Sequence, residues 1–129
     1  MEELIQRISA ASGMDAAMTT KAVGIILGFL QKEAPAEDVA TMFNAMPGSQ
    51  ELAAAHAEGG SGGGIMGAIG GMMGGGGLMA LAGKLTSAGL SMDQMQVLGK
   101  ELFAYGREKA GEDTMGAIVG AVPGLGQFV

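Results

Sequence analysis

Apolar residues recur every three or four positions through both ends of this chain, with polar or small residues on the intervening faces. Leu4, Ile5, Ile8 and Ala11 mark one such stripe, and Gly13 stands where a left-handed residue would close a helix, so the spacing predicts a first helix over Glu2 to Ser12. Asp15 is placed to cap a second helix, which runs to about Glu33 with Met18, Ala22, Val23, Ile25, Ile26, Phe29 and Leu30 on a broad apolar face. Pro35 ends that helix and suits the first turn of a third, where Glu37 and Asp38 meet the positive end of the helix dipole. Val39, Met42, Phe43 and Met46 follow on one face before Pro47-Gly48, and a short fourth helix is expected over Gln50 to Ala57. No segment alternates with the period of two that a strand needs, so the chain reads as all-α.

The same order returns in the second half. Leu78, Leu81, Ala82 and Leu85 predict a helix stopped near Gly89, and Ser91 with Gln94 has the spacing of a capping box. The helix so opened runs to about Lys109 with Met92, Met95, Leu98, Leu102 and Phe103 inward. Gly111 ends it, and Glu112 and Asp113 open a last helix bearing Met115, Ile118, Val119 and Val122. A shift of 76 positions lays Ser9–Leu52 over Leu85–Phe128 without a gap, placing Met14 on Leu90, Ile26 on Leu102, Phe29 on Tyr105, Met42 on Ile118 and Pro47-Gly48 on Pro123-Gly124. Helix stops, turns and apolar positions that recur together predict two copies of one helical unit. The expected architecture is a single domain over 1–129: a compact bundle of two pseudo-symmetric repeats, about 1–57 and about 77–129, joined by a glycine-rich connector over about 58–76.

Of the 25 glycines, 13 fall between Gly59 and Gly83, a stretch without a charged residue. Gly59 to Gly64 reads as a linker. Beyond it Ile65, Met66, Ile69, Met72 and Met73 share one helical face and glycines fill the rest, so this Gly/Met-rich segment is expected to be partly helical. Each glycine there costs a helix roughly 0.8 to 1 kcal/mol relative to alanine, which means that packing must hold such a helix if it forms.

Charge and residue chemistry narrow the function classes. The net charge of −6 and the lack of a basic cluster argue against nucleic acid as a partner. Cysteine is absent, which excludes disulfides and thiolate chemistry. The start, Met1-Glu2-Glu3-Leu4-Ile5-Gln6-Arg7, lacks the basic and apolar regions of a secretory signal, so a cytoplasmic protein is expected. The single histidine, His56, has no visible partner constellation and reads as a surface residue near a helix end. Glu33, Glu37 and Asp38, and likewise Glu108, Glu112 and Asp113, flank helix starts and have Lys32, Arg107 and Lys109 nearby. The dipole and those cations account for them better than catalysis or a metal does. The glycines lack the strand, Lys and Ser/Thr of a phosphate loop. No enzyme activity, cofactor or metal is expected.

Two features point to an interaction surface. Gly63-Gly67-Gly71-Gly75 and Gly116-Gly120-Gly124 recur at every fourth residue, with Gly24-Gly28 a shorter case, and such spacing lets a second backbone approach one helix face. The chain also carries 12 methionines, whose side chains adapt to irregular surfaces. Those on the apolar period are expected in the core. Met66, Met72 and Met73 are candidates, with Gly63, Gly67, Gly71, Gly116 and Gly120, for an interface.

The pattern Ser12-Gly13-Met14-Asp15, the run Ala22-Val23-Gly24-Ile25-Ile26-Leu27-Gly28-Phe29-Leu30, the segment Glu37-Asp38-Val39 and Ala45-Met46-Pro47-Gly48 resemble the VcgC/VcgE type of bacterial domain of unknown function. The resemblance continues through the Gly/Met-rich middle to Leu85–Gly89 and covers most of the chain. It implies neither an activity nor catalytic residues, and the acidic start departs from those relatives that look exported. The expected function is that of a non-enzymatic helical scaffold or interaction module that associates with itself or with a protein partner. The alternative is a protein of a membrane surface, or one that binds an apolar ligand between its halves.

Overall fold

Helix ends are set by residues whose chemistry suits them. In the computed structural model, which describes residues 2–56, 77–122 and 124–127, α1 (Glu2–Ser12) stops at Gly13, whose φ of 79° suits a residue without a Cβ. The Gly13 N–H donates to the Ser9 carbonyl at 2.9 Å, and the Ser12 hydroxyl donates to the Ile8 carbonyl at 2.6 Å, so these last-turn acceptors are used. Asp15 accepts from the Met18 N–H at 2.7 Å and opens α2 (Ala16–Glu33). Pro35 precedes α3 (Ala36–Ala45), and Gly48 leads into α4 (Ser49–His56). Past the connector, α5 (Gly77–Ser87) ends in a turn at Gly89, where the Leu90 N–H reaches back to the Leu85 carbonyl at 3.1 Å and both leucines are buried. The capping box of Ser91 and Gln94 opens α6 (Met92–Ala110), Gly111 joins it to α7 (Glu112–Ala121), and a 3₁₀ turn follows at Leu125–Gln127. Among the described residues the structure is all-α, with seven α-helices and no strand.

Element limits and burial recur with the 76-residue spacing read from the sequence. The shift carries α3 from Ala36–Ala45 onto Glu112–Ala121, the limits of α7, and brings Gly13 onto Gly89 and Gly48 onto Gly124, all four with positive φ. Met14 and Leu90, Ile26 and Leu102, Phe29 and Tyr105, Val39 and Met115, Met42 and Ile118, and Met46 and Val122 are buried as pairs. The two stretches differ where Pro35 corresponds to Gly111. Contacts differ as well: α3 leans on α6, with no comparable packing of α7 on α2.

The halves interleave around one core. α2 packs most extensively on α4, within its own half, but α1 packs more extensively on α6 than on α2. In the second half α5 packs more extensively on α2 than on its sequence neighbour α6, and α3 lies against α6 and α7. Leu4, Ile8, Leu27, Leu30, Met42, Leu98, Leu102, Phe103, Met115 and Ile118 form the centre of this shared core.

Several side chains expected inward are not. Met92 is 61% exposed, because it is the first residue of α6 and a helical side chain leans toward the N-terminus, which here carries it past the helix end. Ala11 is exposed, and Ile25 and Val119 are half-buried at the margin of the core.

Candidate functional site

Two of the residues expected at an interface, Gly116 and Gly120, lie on the outer face of α7. Met115 and Ile118 turn inward from this helix, leaving Gly116, Ala117, Gly120 and Ala121 on the solvent side. Among the described residues, a Cβ added at Gly116 or Gly120 would meet nothing within 4 Å beyond its own helix, so both glycines border open space there. Gly24 and Gly28, with the same spacing on α2, are buried. Gly63, Gly67, Gly71, Met66, Met72 and Met73, with the expected helix around them, lie outside the described residues. The site therefore reduces to Gly116 and Gly120 with their alanine neighbours.

A second surface feature is an open groove of about 510 Å³ between α1, α2 and the start of α4. Ile5 and Leu52 give it apolar walls, Gln6 and Thr20 supply polar groups, and Glu2 and Glu51 stand at its edge. Both glutamates sit in first turns, where the helix dipole favours them. A separate apolar cavity of about 20 Å³ lies between Ile26, Leu81, Leu85, Met95 and Phe103. With no polar side chain around it, this space suits neither a ligand nor a bound water.

One charged cluster joins the halves. Arg7 of α1 reaches Glu108 at 3.0 Å and Glu101 at 3.5 Å on α6, and stands 5.9 Å from the centre of the Tyr105 ring. Lys109 lies 5.5 Å from the same ring. The hydrogen bond to Glu108 raises the Arg7 pKa above its usual value, which leaves its charge unchanged in ordinary buffers. Arg107 and Lys109 are the cations nearest Glu108 in the sequence, yet the structure pairs it with Arg7, 101 positions away. Nothing in the local pattern around Arg7 signals that pairing.

Neither a metal-ligand cluster nor an unpartnered buried polar side chain is found among the described residues. No three of their His, Asp or Glu side chains are arranged to hold a metal ion. Their two buried polar side chains, Thr19 and Ser49, donate to the Asp15 and Met46 carbonyls at 2.8 and 2.6 Å. No single described helix is long and apolar enough to cross a membrane, and the one pair that passes by composition, α1 with α2, is bent by 111°. Comparison with protein families, with characterised proteins and with solved structures returns no match.

Proposed function

We propose that this chain is a non-enzymatic helical scaffold that associates with a second copy of itself through the outer face of α7. The observation that carries this reading is the open space outside Gly116 and Gly120. A glycine inside a helix costs about 0.8 to 1 kcal/mol relative to alanine. Two of them one turn apart, with no neighbour among the described residues that a methyl group would meet, are explained by an approach from outside.

Light scattering from micromolar to millimolar protein tests the reading. An oligomer is expected, with Gly116→Leu and Gly120→Leu each shifting it toward monomer while circular dichroism stays unchanged. A wild-type mass that remains monomeric over that range would overturn self-association; an oligomer indifferent to both substitutions would move the interface elsewhere.

A second reading, binding of an apolar ligand, has the α1/α2/α4 groove in its favour, since about 510 Å³ lies within the usual size of ligand pockets. Native mass spectrometry of the purified protein would reveal a retained ligand, and co-sedimentation with vesicles would reveal binding at a membrane surface. The acidic balance supports a protein partner over nucleic acid. The absence of cysteine fits a cytoplasmic location, and the sequence motifs support a VcgC/VcgE-type domain; both belong to this proposal.

A further inference from the structure

We infer that the groove between α1, α2 and α4 binds a small amphiphilic amine, its apolar body against Ile5 and Leu52 and its ammonium group between the carboxylates of Glu2 and Glu51. This rests on the ligand-binding reading above and deepens it, without involving the outer face of α7. Ile5 and Leu52 are half-buried, packed against the core and also bordering the groove. Ala16 and Gly48 contribute no more than a methyl group to the lining, which leaves about 510 Å³ open. Only eight described residues line this space, whereas a stable protein interface takes roughly 20 to 30 on each side. That size favours a small molecule over a folded partner.

Charge complementarity selects the class of ligand. The ionic groups of the described lining are both carboxylates, with no Lys or Arg among those residues. Arg7, on the same helix as Glu2, is engaged by Glu101 and Glu108 on α6, and Lys21, next to Thr20 in the sequence, does not line the groove. Among the described residues neither Glu2 nor Glu51 has an ion-pair partner. The Thr20 hydroxyl donates to the Ala16 carbonyl at 2.7 Å, so toward the groove it can only accept. Acceptors with no cation among them suit a donor that carries positive charge. The fold does not require acids at these places, since α5 has none in its first turn. The positions 76 residues on carry no acid either: Glu2 and Glu51 give way to Leu78 and Gln127, and Ala16 to the exposed Met92.

Titration of the full chain with octylammonium, octanol and octanoate, each below its micelle concentration, tests the inference by calorimetry and by the NMR signals of the Ile5 and Leu52 methyl groups. Octylammonium is expected to bind one to one and to shift both residues, with octanol weaker by roughly three- to tenfold and octanoate weaker still. Glu2→Gln with Glu51→Gln should bring octylammonium down to the affinity of octanol. Glu37→Gln with Asp93→Asn removes the same net charge from two other exposed first turns and should change the affinity by less than about twofold. Octanol binding the wild type as tightly as octylammonium would overturn the choice of an amine and leave the ligand-binding reading standing, a comparison that needs no variant. An equal loss in both double variants, or shifts scattered over the acidic surface, would mean adventitious attraction to a protein of net charge −6 and would overturn it as well. If none of the three probes moves Ile5 or Leu52, both readings fail.

Discussion

A Cβ added at Gly106 would lie 2.5 Å from the Met115 methyl and 2.8 Å from its sulfur, so Met115 fills the place a side chain on α6 would take. The corresponding positions of the first half are Leu30 and Val39, with the bulk on the other helix. Gly106→Leu is therefore expected to destabilise by overpacking, by about 1 to 3 kcal/mol, and Met115→Val in the same chain to recover more than half of that loss. Urea unfolding of the two single variants and the double variant measures the coupling; additive effects would refute the exchange of bulk. Gly111 poses a different constraint. Its φ of 98° and ψ of 155° lie in a region that side chains scarcely enter, so Gly111→Ala should cost about 1 to 3 kcal/mol although no atom crowds it. Gly116→Ala, in a regular helix beside open space, should do the reverse and add up to about 1 kcal/mol in dilute protein. Thermal midpoints moving in opposite directions would separate backbone conformation from space as the reason for glycine.

At the scale of single helices, the capping box at Ser91 predicts that Ser91→Ala lowers stability by about 1 kcal/mol. Arg7→Ala should cost less than about 1 kcal/mol, since the ion pairs it breaks are partly exposed. Denaturant midpoints of the two variants check that order. The contrast also explains what could be read from the sequence. Asp15, Ser91, Gly13 and Gly89 act on backbone groups within four residues, so the limits of α1 and α2 and the start of α6 follow from local chemistry. The partner of Arg7 lies a hundred positions away and depends on how helices are placed. The exposure of Met92 also needs the assembled molecule, because the apolar period says which face a residue is on but not where the covering helix ends. The same limit applies to the candidate surface. Spacing of four identified both Gly24-Gly28 and Gly116-Gly120, yet only packing decides that the first pair is buried and the second open.

For the whole molecule, the interleaved core predicts one cooperative unit. A substitution in the second half, such as Gly111→Ala, should lower hydrogen-exchange protection around Leu4 and Ile8 in α1 by the same free energy as in α6, because neither helix keeps its cover without the other. Protection lost in the second half alone would mean that the halves open independently. The packing of α1 on α6 also has a consequence for how the protein is made. Synthesis delivers His56 well before Met92, where α6 begins, and the 35 residues between them take roughly 2 to 7 seconds at typical elongation rates of about 5 to 20 residues per second. Throughout that interval the apolar face of α1 is already on the growing chain while the helix that covers it does not yet exist. The nascent first half thus carries an apolar stripe open to chaperones until α6 is made.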